Sequence, residues 1–253
     1  MTGTTARPTA HPLTRMTLDV VDEATGRHHR RYPVLPTTGG PAGNAQLTAW
    51  TGLILLVLFA AESVTLLDLS GLIDWHVGIG VALIPFALLK TASTGWRIVR
   101  YYTADRSYRA AGPPPMLLRL LGPLVIVFTL AVLGSGLLLI LMGADSSRSS
   151  LLSVLGRPLG LRQVHAGFAV LWAVVTGAHV VTRLVPSLRL ATSRGRRPGG
   201  GLPGLSRRTV VVLATAVVAG LAALLVLPAA TDWTGEQHRD RQAGVVEGRP
   251  RSG

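Results

Sequence analysis

Five ionisable side chains stand inside long apolar stretches of this 253-residue sequence, where a charge is costly. They are Glu62, His76, Lys90, His165 and His179, and Lys90 is the only lysine in the chain. Ionisable residues within membrane-spanning helices usually face the interior of the bundle and mark a functional site. The histidines are the strongest candidates because a neutral imidazole carries a lone pair that can bind a metal.

Four of these residues form two pairs with the same spacing. His76 and Lys90 are fourteen residues apart, and so are His165 and His179. On a helix, fourteen residues rise about 21 Å and return to within roughly 40° of the starting direction. Each pair therefore lies on one face of its helix, with one member near each surface of the membrane.

Two histidines at the same depth on parallel helices can bind a haem iron from opposite sides. The second and fourth spans of a bundle run in the same direction, so His76 is level with His165 and Lys90 is level with His179. Lysine binds iron only after losing its proton, and Lys90 stands where a second inner histidine would be needed. The sequence predicts one b haem, with His76 and His165 as the metal ligands and His179 and Lys90 as further cofactor-binding residues. Two haems, or none, are the alternatives.

Each of these residues also has an ordinary structural interpretation. His76 and His165 can be hydrated residues at the membrane surface, and Lys90 can extend its stem to the inner surface. Glu62 can form a hydrogen bond to a neighbouring helix. The matched depth and spacing favour the haem interpretation. Small residues that would let a flat ring pass the backbone lie nearby, at glycines 78, 80, 134, 136 and 167.

Five apolar segments are long enough to position these residues on membrane-spanning helices. The hydrocarbon core of a bilayer is roughly 30 Å thick and takes about 20 apolar residues to cross as a helix. The chain is 48% hydrophobic, and its apolar residues are clustered in continuous blocks. The sequence predicts an all-α integral membrane bundle of five transmembrane helices, at about residues 47–67, 75–99, 117–142, 163–185 and 209–227.

The polar segments outside the spans set the expected orientation. Residues 1–46 and 231–253 are predicted to be disordered tails because neither has an apolar period. Arg97, Arg119 and Arg183 lie near the ends of spans and are counted with the adjacent segments. From the N-terminus onward, the six segments then carry five, none, five, three, seven and four basic residues. Basic residues concentrate on the cytoplasmic side. We therefore expect a multi-pass protein of the cell membrane with its N-terminus in the cytoplasm and its C-terminus outside.

Composition excludes several other kinds of site. The chain has no cysteine, which excludes covalently attached c-type haem and cysteine-bound iron–sulfur clusters. Its net charge is +13, but most arginines flank the spans, so no nucleic-acid partner is expected. We find no phosphate-binding glycine loop, nucleophile elbow or zinc signature, and we assign no catalytic residue.

Two stretches of the sequence resemble a known group of membrane proteins. The first begins His76-Val-Gly-Ile-Gly, continues through Leu-Leu-Lys90-Thr-Ala-Ser-Thr-Gly-Trp-Arg and ends at Tyr102, and the second is Tyr108-Arg-Ala-Ala-Gly-Pro-Pro-Pro. They are similar to actinobacterial cytochrome b-like or ferric-reductase-like proteins over residues 48–230. The paired histidines also resemble those of di-haem cytochrome b membrane subunits.

The resemblance implies His76 and His165 as axial ligands of an outer b haem. It also implies an inner haem at the depth of His179, and there Lys90 departs from the pattern. An oxidoreductase membrane subunit would be the corresponding enzyme role, with the chemistry carried out by a partner subunit.

Two functions are consistent with these residues. The first is a membrane electron-transfer protein that relays electrons between quinol and an extracytoplasmic oxidoreductase partner. The second is a haem-free multi-pass protein, either a small transporter or an assembly or interaction factor, in which Glu62, Lys90 and the histidines line a polar cavity. The lack of an internal repeat disfavours a transporter. The lipid bilayer is the expected partner in both cases.

Overall fold

The computed structural model of the chain is mostly helical and describes residues 12–25, 27, 32–103, 105–113, 116–146, 150–154, 156–192 and 201–247. Its elements in chain order are α1 (Pro12–Ala24), α2 (Gly40–Thr65), a 3-10 turn (Leu66–Asp68), α3 (Ile73–Tyr102), α4 (Arg106–Ala110), α5 (Met116–Ser146), β1 (Ser150–Val154), β2 (Arg157–Gly160), α6 (Leu161–Thr192) and α7 (Leu205–Glu247).

Within these residues, five helices are long and apolar enough to cross a membrane. The candidate spans are Gly40–Asp68, Ile73–Tyr102, Leu118–Gly143, Leu161–Thr192 and Leu205–Ala230. They correspond to α2, α3, α5, α6 and α7, which we call the first to fifth spans. The predicted number of span-length helices is confirmed. Each helix begins before its predicted apolar segment and ends after it, except that α2 ends at Thr65 and the 3-10 turn covers the end of the first predicted segment.

Regular structure also lies outside the predicted spans, in α1, α4, the two strands and the C-terminal part of α7. Helix α1 lies within the predicted N-terminal tail, and α7 continues to Glu247 through most of the predicted C-terminal tail. The sequence of α1 is amphipathic, a pattern that a search for continuous apolar blocks does not detect. Strands β1 and β2 form an antiparallel hairpin before α6, a small addition to an otherwise helical fold. The predicted tail residues 1–11 and 248–253 lie outside the described residues.

The second span lies between the first and the fifth. Its contact with the fifth span includes Ile73, Val77 and Ala230. Polar bonds join it to the first span, where the Asn44 amide donates to the Ser93 carbonyl at 3.1 Å. The fourth span packs against the third and the first. The second and fourth spans, which carry the two pairs of ionisable residues, face each other across a cavity.

A buried arginine joins the segment before the first span to the start of the last one. The Arg208 guanidinium donates hydrogen bonds to the carbonyls of Thr38 at 3.2 Å, Pro203 at 2.8 Å and Leu202 at 3.1 Å. Gly204 adopts a positive φ of 76° beside this contact, a conformation that glycine reaches without strain. This arginine clamp holds together two parts of the chain that are far apart in sequence.

Candidate cofactor site

A cavity of about 1250 Å³ lies among the first four spans. All five ionisable residues that the sequence singled out line it, although they come from three different helices. His165 and Arg183 both line it and are eighteen residues apart on α6, which corresponds to about 27 Å along the helix. The cavity therefore extends over a length close to the roughly 30 Å thickness of the hydrocarbon core. We call the part around His165 its outer end and the part around Arg183 its inner end.

At the outer end, the two candidate axial ligands face each other. The ring centres of His76 on α3 and His165 on α6 are 6.4 Å apart, with the ring planes at 84°. An imidazole nitrogen bonds a metal at about 2 Å and the ring centre lies a further ~1 Å back, so two rings on opposite sides of one metal have centres about 6 Å apart. The observed separation fits a pair of axial ligands.

The hydrogen bonds of His165 define which of its nitrogens is free. Its Nδ1 lies 2.9 Å from the Ser135 hydroxyl, and that hydroxyl donates to the Val132 carbonyl at 3.1 Å. A hydroxyl has one proton, so Ser135 accepts from the Nδ1–H of His165. The other ring nitrogen, Nε2, then carries the lone pair that a metal needs.

The same reasoning applies to His76. Its Nδ1 lies 3.0 Å from the Thr65 hydroxyl and 2.9 Å from Glu62 Oε1, while Thr65 donates to the Glu62 carbonyl at 2.6 Å. Both neighbours accept from the Nδ1–H of His76, which leaves the lone pair of the ring on Nε2. A histidine that binds a metal usually donates its other N–H to a carboxylate or similar group, and both rings show this pattern.

Two of the five predicted glycines lie on the cavity wall. A Cβ added at Gly136 would stand 3.1 Å from Cε1 of His165, so this glycine makes room for the ring against α5. A Cβ added at Gly80 would stand 3.5 Å from Glu62 Oε1. Gly134 and Gly167 have open space where a Cβ would stand, and Gly78 lies near Leu227.

Comparison with known protein families, curated proteins and solved structures finds no match. The resemblance to cytochrome b-like proteins therefore stays a prediction, and function is inferred from the cavity itself. Among the described residues, no group of three or more His, Cys, Asp or Glu side chains is placed to hold a metal ion. A haem needs only a pair, because the porphyrin supplies the other ligands of its iron.

The inner end contains the other two predicted cofactor-binding residues. The Lys90 ammonium donates to the Thr48 carbonyl on the first span at 3.4 Å and lies against Gly52, where an added Cβ would be 2.6 Å from Nζ. His179 lines the cavity from the fourth span, and its Nδ1 is buried without a hydrogen-bond partner. Both side chains face the protein interior, but the hydrogen bond of Lys90 is directed to the first span and not to His179.

Sequence reasoning did not identify the residues that orient the histidines. Ser135 and Thr65 were not singled out. Glu62 was expected to bond a neighbouring helix, but its partner His76 was not identified. One local signal was present, because Ser135 lies between two glycines on a span whose only other polar side chains are Arg119 and Thr129.

Proposed function

We propose that this chain is a membrane electron-transfer protein of the b-type cytochrome kind, with His76 and His165 as the axial ligands of one haem. The observation that carries the proposal is the outer histidine pair. The rings are 6.4 Å apart, and the Nδ1 of each is held by a hydrogen bond. When bound, haem supplies one-electron transfer at a potential that depends on its axial ligands and their surroundings.

The residues around the pair would fix the two rings in place. Ser135 holds His165 from the third span, while Glu62 and Thr65 hold His76 from the first. Because four helices contribute the rings and the residues that hold them, the distance between the rings depends on bundle packing and not on a single loop. Glu62 also places a carboxylate oxygen 2.9 Å from the His76 Nδ1, a supporting contact of the kind that metal-binding histidines usually have.

The wider role follows the orientation inferred from the arginines. We infer a cytoplasmic N-terminus and an outer C-terminus, which places the histidine pair near the extracytoplasmic surface. A haem at that depth suits electron exchange between quinol in the bilayer and an extracytoplasmic redox partner. Substrate chemistry, if any, would then take place in the partner.

A reduced-minus-oxidised absorption spectrum tests the proposal directly. The protein would be produced in haem-sufficient cells and purified in a mild detergent. We expect a b-type spectrum from the natural chain and its loss in His76→Ala and His165→Ala. His179→Ala is the matched control, since it removes a histidine from the same cavity and should leave the spectrum intact.

Two results would contradict the proposal. One is a natural chain that carries no haem although it is folded and haem is abundant. The other is a b-type spectrum that persists in both outer-histidine variants. The first result would favour the haem-free alternative, in which the same cavity serves a transporter or an assembly factor. The second would mean that haem is held by residues other than His76 and His165.

A further inference from the structure

The inner end of the cavity is lined by positively charged residues. Lys90 on α3 and Arg183 on α6 contribute from facing helices, and Arg97 on α3 and Arg119 on α5 also line the cavity. Arg183 is close enough to act electrostatically on both Lys90 and His179. Among the described lining residues the only acid is Glu62, which is at the outer end and paired with His76. The inner end is therefore suited to an anion.

Buried donors and acceptors at this end have few protein partners. The Thr176 hydroxyl and the His179 Nδ1, one helical turn apart on α6, are both buried without a hydrogen-bond partner. Lys90 has three N–H donors, and its bond to Thr48 is long at 3.4 Å. Buried polar groups in proteins are nearly always hydrogen-bonded, so these groups indicate a ligand that supplies the missing partners.

The wall next to these groups is apolar. From the inner cations toward the outer histidines it is formed by aliphatic side chains from all four helices, among them Leu56, Ile84, Ile126 and Val180. The whole cavity, at about 1250 Å³, is larger than the pockets of roughly 300–1,000 Å³ that hold one small ligand. A ligand with an anionic headgroup and an extended apolar part would match both the charged inner end and the apolar wall.

We propose that the inner end of the cavity binds an anionic phospholipid of the bilayer. Lys90 and Arg183 would hold the phosphate, with Thr176 and His179 as further hydrogen-bonding groups, and an acyl chain would lie along the apolar wall. Basic pockets between membrane helices are known to bind phospholipid headgroups, and charge-assisted bonds to phosphate are among the stronger hydrogen bonds. The proposal does not depend on haem, because none of these residues belongs to the outer pair.

Native mass spectrometry of the intact, detergent-solubilised chain tests this assignment. The probes are phosphatidylglycerol and, as a neutral comparison, phosphatidylcholine, each titrated into the purified protein. The natural chain should bind one phosphatidylglycerol in preference to phosphatidylcholine. Lys90→Met should bind it about tenfold more weakly, the effect expected from losing one charge-assisted hydrogen bond. This change keeps the length of the side chain and removes a buried charge, so the variant should still fold.

Arg207→Gln is the matched control. It removes one positive charge from an exposed position on α7 that does not line the cavity, and phosphatidylglycerol binding should not change. Equal losses in Lys90→Met and Arg207→Gln, or no loss in Lys90→Met, would overturn the proposal. So would a second haem per chain or a tightly held neutral quinone in place of the lipid.

The haem spectrum is recorded on the same samples, so each proposal can be contradicted independently of the other. Loss of haem with the lipid pattern intact contradicts only the proposed function. Loss of the lipid pattern with haem intact contradicts only the lipid site.

Discussion

The single proton of the Ser135 hydroxyl determines which nitrogen of His165 carries its hydrogen. The Ser135 hydroxyl donates to the Val132 carbonyl of its own helix, so it can only accept from the imidazole. The bond between Ser135 and His165 joins residues thirty positions apart in the sequence. Serines within helices commonly bond their own backbone, so the sequence of this helix alone does not indicate that Ser135 has a second partner.

Replacing this serine tests the role of the hydrogen bond. In Ser135→Ala, the Nδ1–H of His165 loses its acceptor, and the ring is free to rotate or to change tautomer. We expect roughly 10- to 100-fold weaker haem binding, the usual effect of losing such a supporting hydrogen bond. Titration of haem into the haem-depleted protein measures the change.

Thr215→Ala serves as the comparison for this substitution. The Thr215 hydroxyl is exposed on α7 and bonds only the Val211 carbonyl of its own helix. Haem affinity should not change in this variant. An unchanged affinity in Ser135→Ala would show that the serine does not support the ligand.

The candidate site residues could be identified from the sequence because they are ionisable side chains within apolar segments. Glu62, His76, Lys90, His165 and His179 all line one cavity in the structure. They could be predicted because a polar group within an apolar helix has to be directed away from lipid. The pairing of His76 with His165 was expected from their matched depth, and their ring centres are 6.4 Å apart. Their hydrogen-bond partners Thr65 and Ser135 could not be predicted, because these depend on how the helices rotate and tilt against each other.

At the level of helices, the predicted spans are shorter than the observed ones. The fourth span was predicted at residues 163–185, and α6 runs over Leu161–Thr192. Hydropathy detects only the apolar stretch within a bilayer, whereas backbone hydrogen bonding continues the helix into the polar region. The hairpin before α6 was also not predicted, because two short strands outside the apolar segments are not detected by hydropathy.

The third span offers a matched pair of glycines for testing the outer site. Gly136 faces His165, and an alanine there would place its Cβ 3.1 Å from the ring. That distance requires the ring to move by a few tenths of an ångström, so Gly136→Ala should lower the haem-to-protein ratio. Gly134 has nothing within 4 Å of an added Cβ, and Gly134→Ala should retain full haem.

The haem-to-protein ratio of the two purified variants, measured by absorbance, gives the comparison. Equal ratios in both variants would mean that the third span does not fix the position of His165. A loss confined to Gly134→Ala would mean that the cavity is differently arranged from the one described.

At the scale of the whole molecule, orientation in the membrane decides on which side the histidine pair lies. Seventeen basic residues lie in the three segments expected to be cytoplasmic and seven in the three expected outside. A reporter active only in the cytoplasm should therefore work when fused after residue 200 and fail when fused after residue 240. The opposite result would place the histidine pair near the cytoplasm and its redox partner on that side.

The arginine clamp has a consequence for the order in which the protein is assembled. Thr38 and Arg208 are 170 residues apart, and a ribosome adds roughly 5–20 residues per second, so the arginine is made about 10–30 s after the threonine. The second span has its most extensive packing with the fifth, which is also synthesised last. During this interval, the helix that carries His76 and Lys90 must stay in the bilayer without its main neighbour. The four helices that line the cavity are all made before the fifth span, but the second reaches its final packing only when the fifth is present, so the shape of the cavity is fixed late in biogenesis.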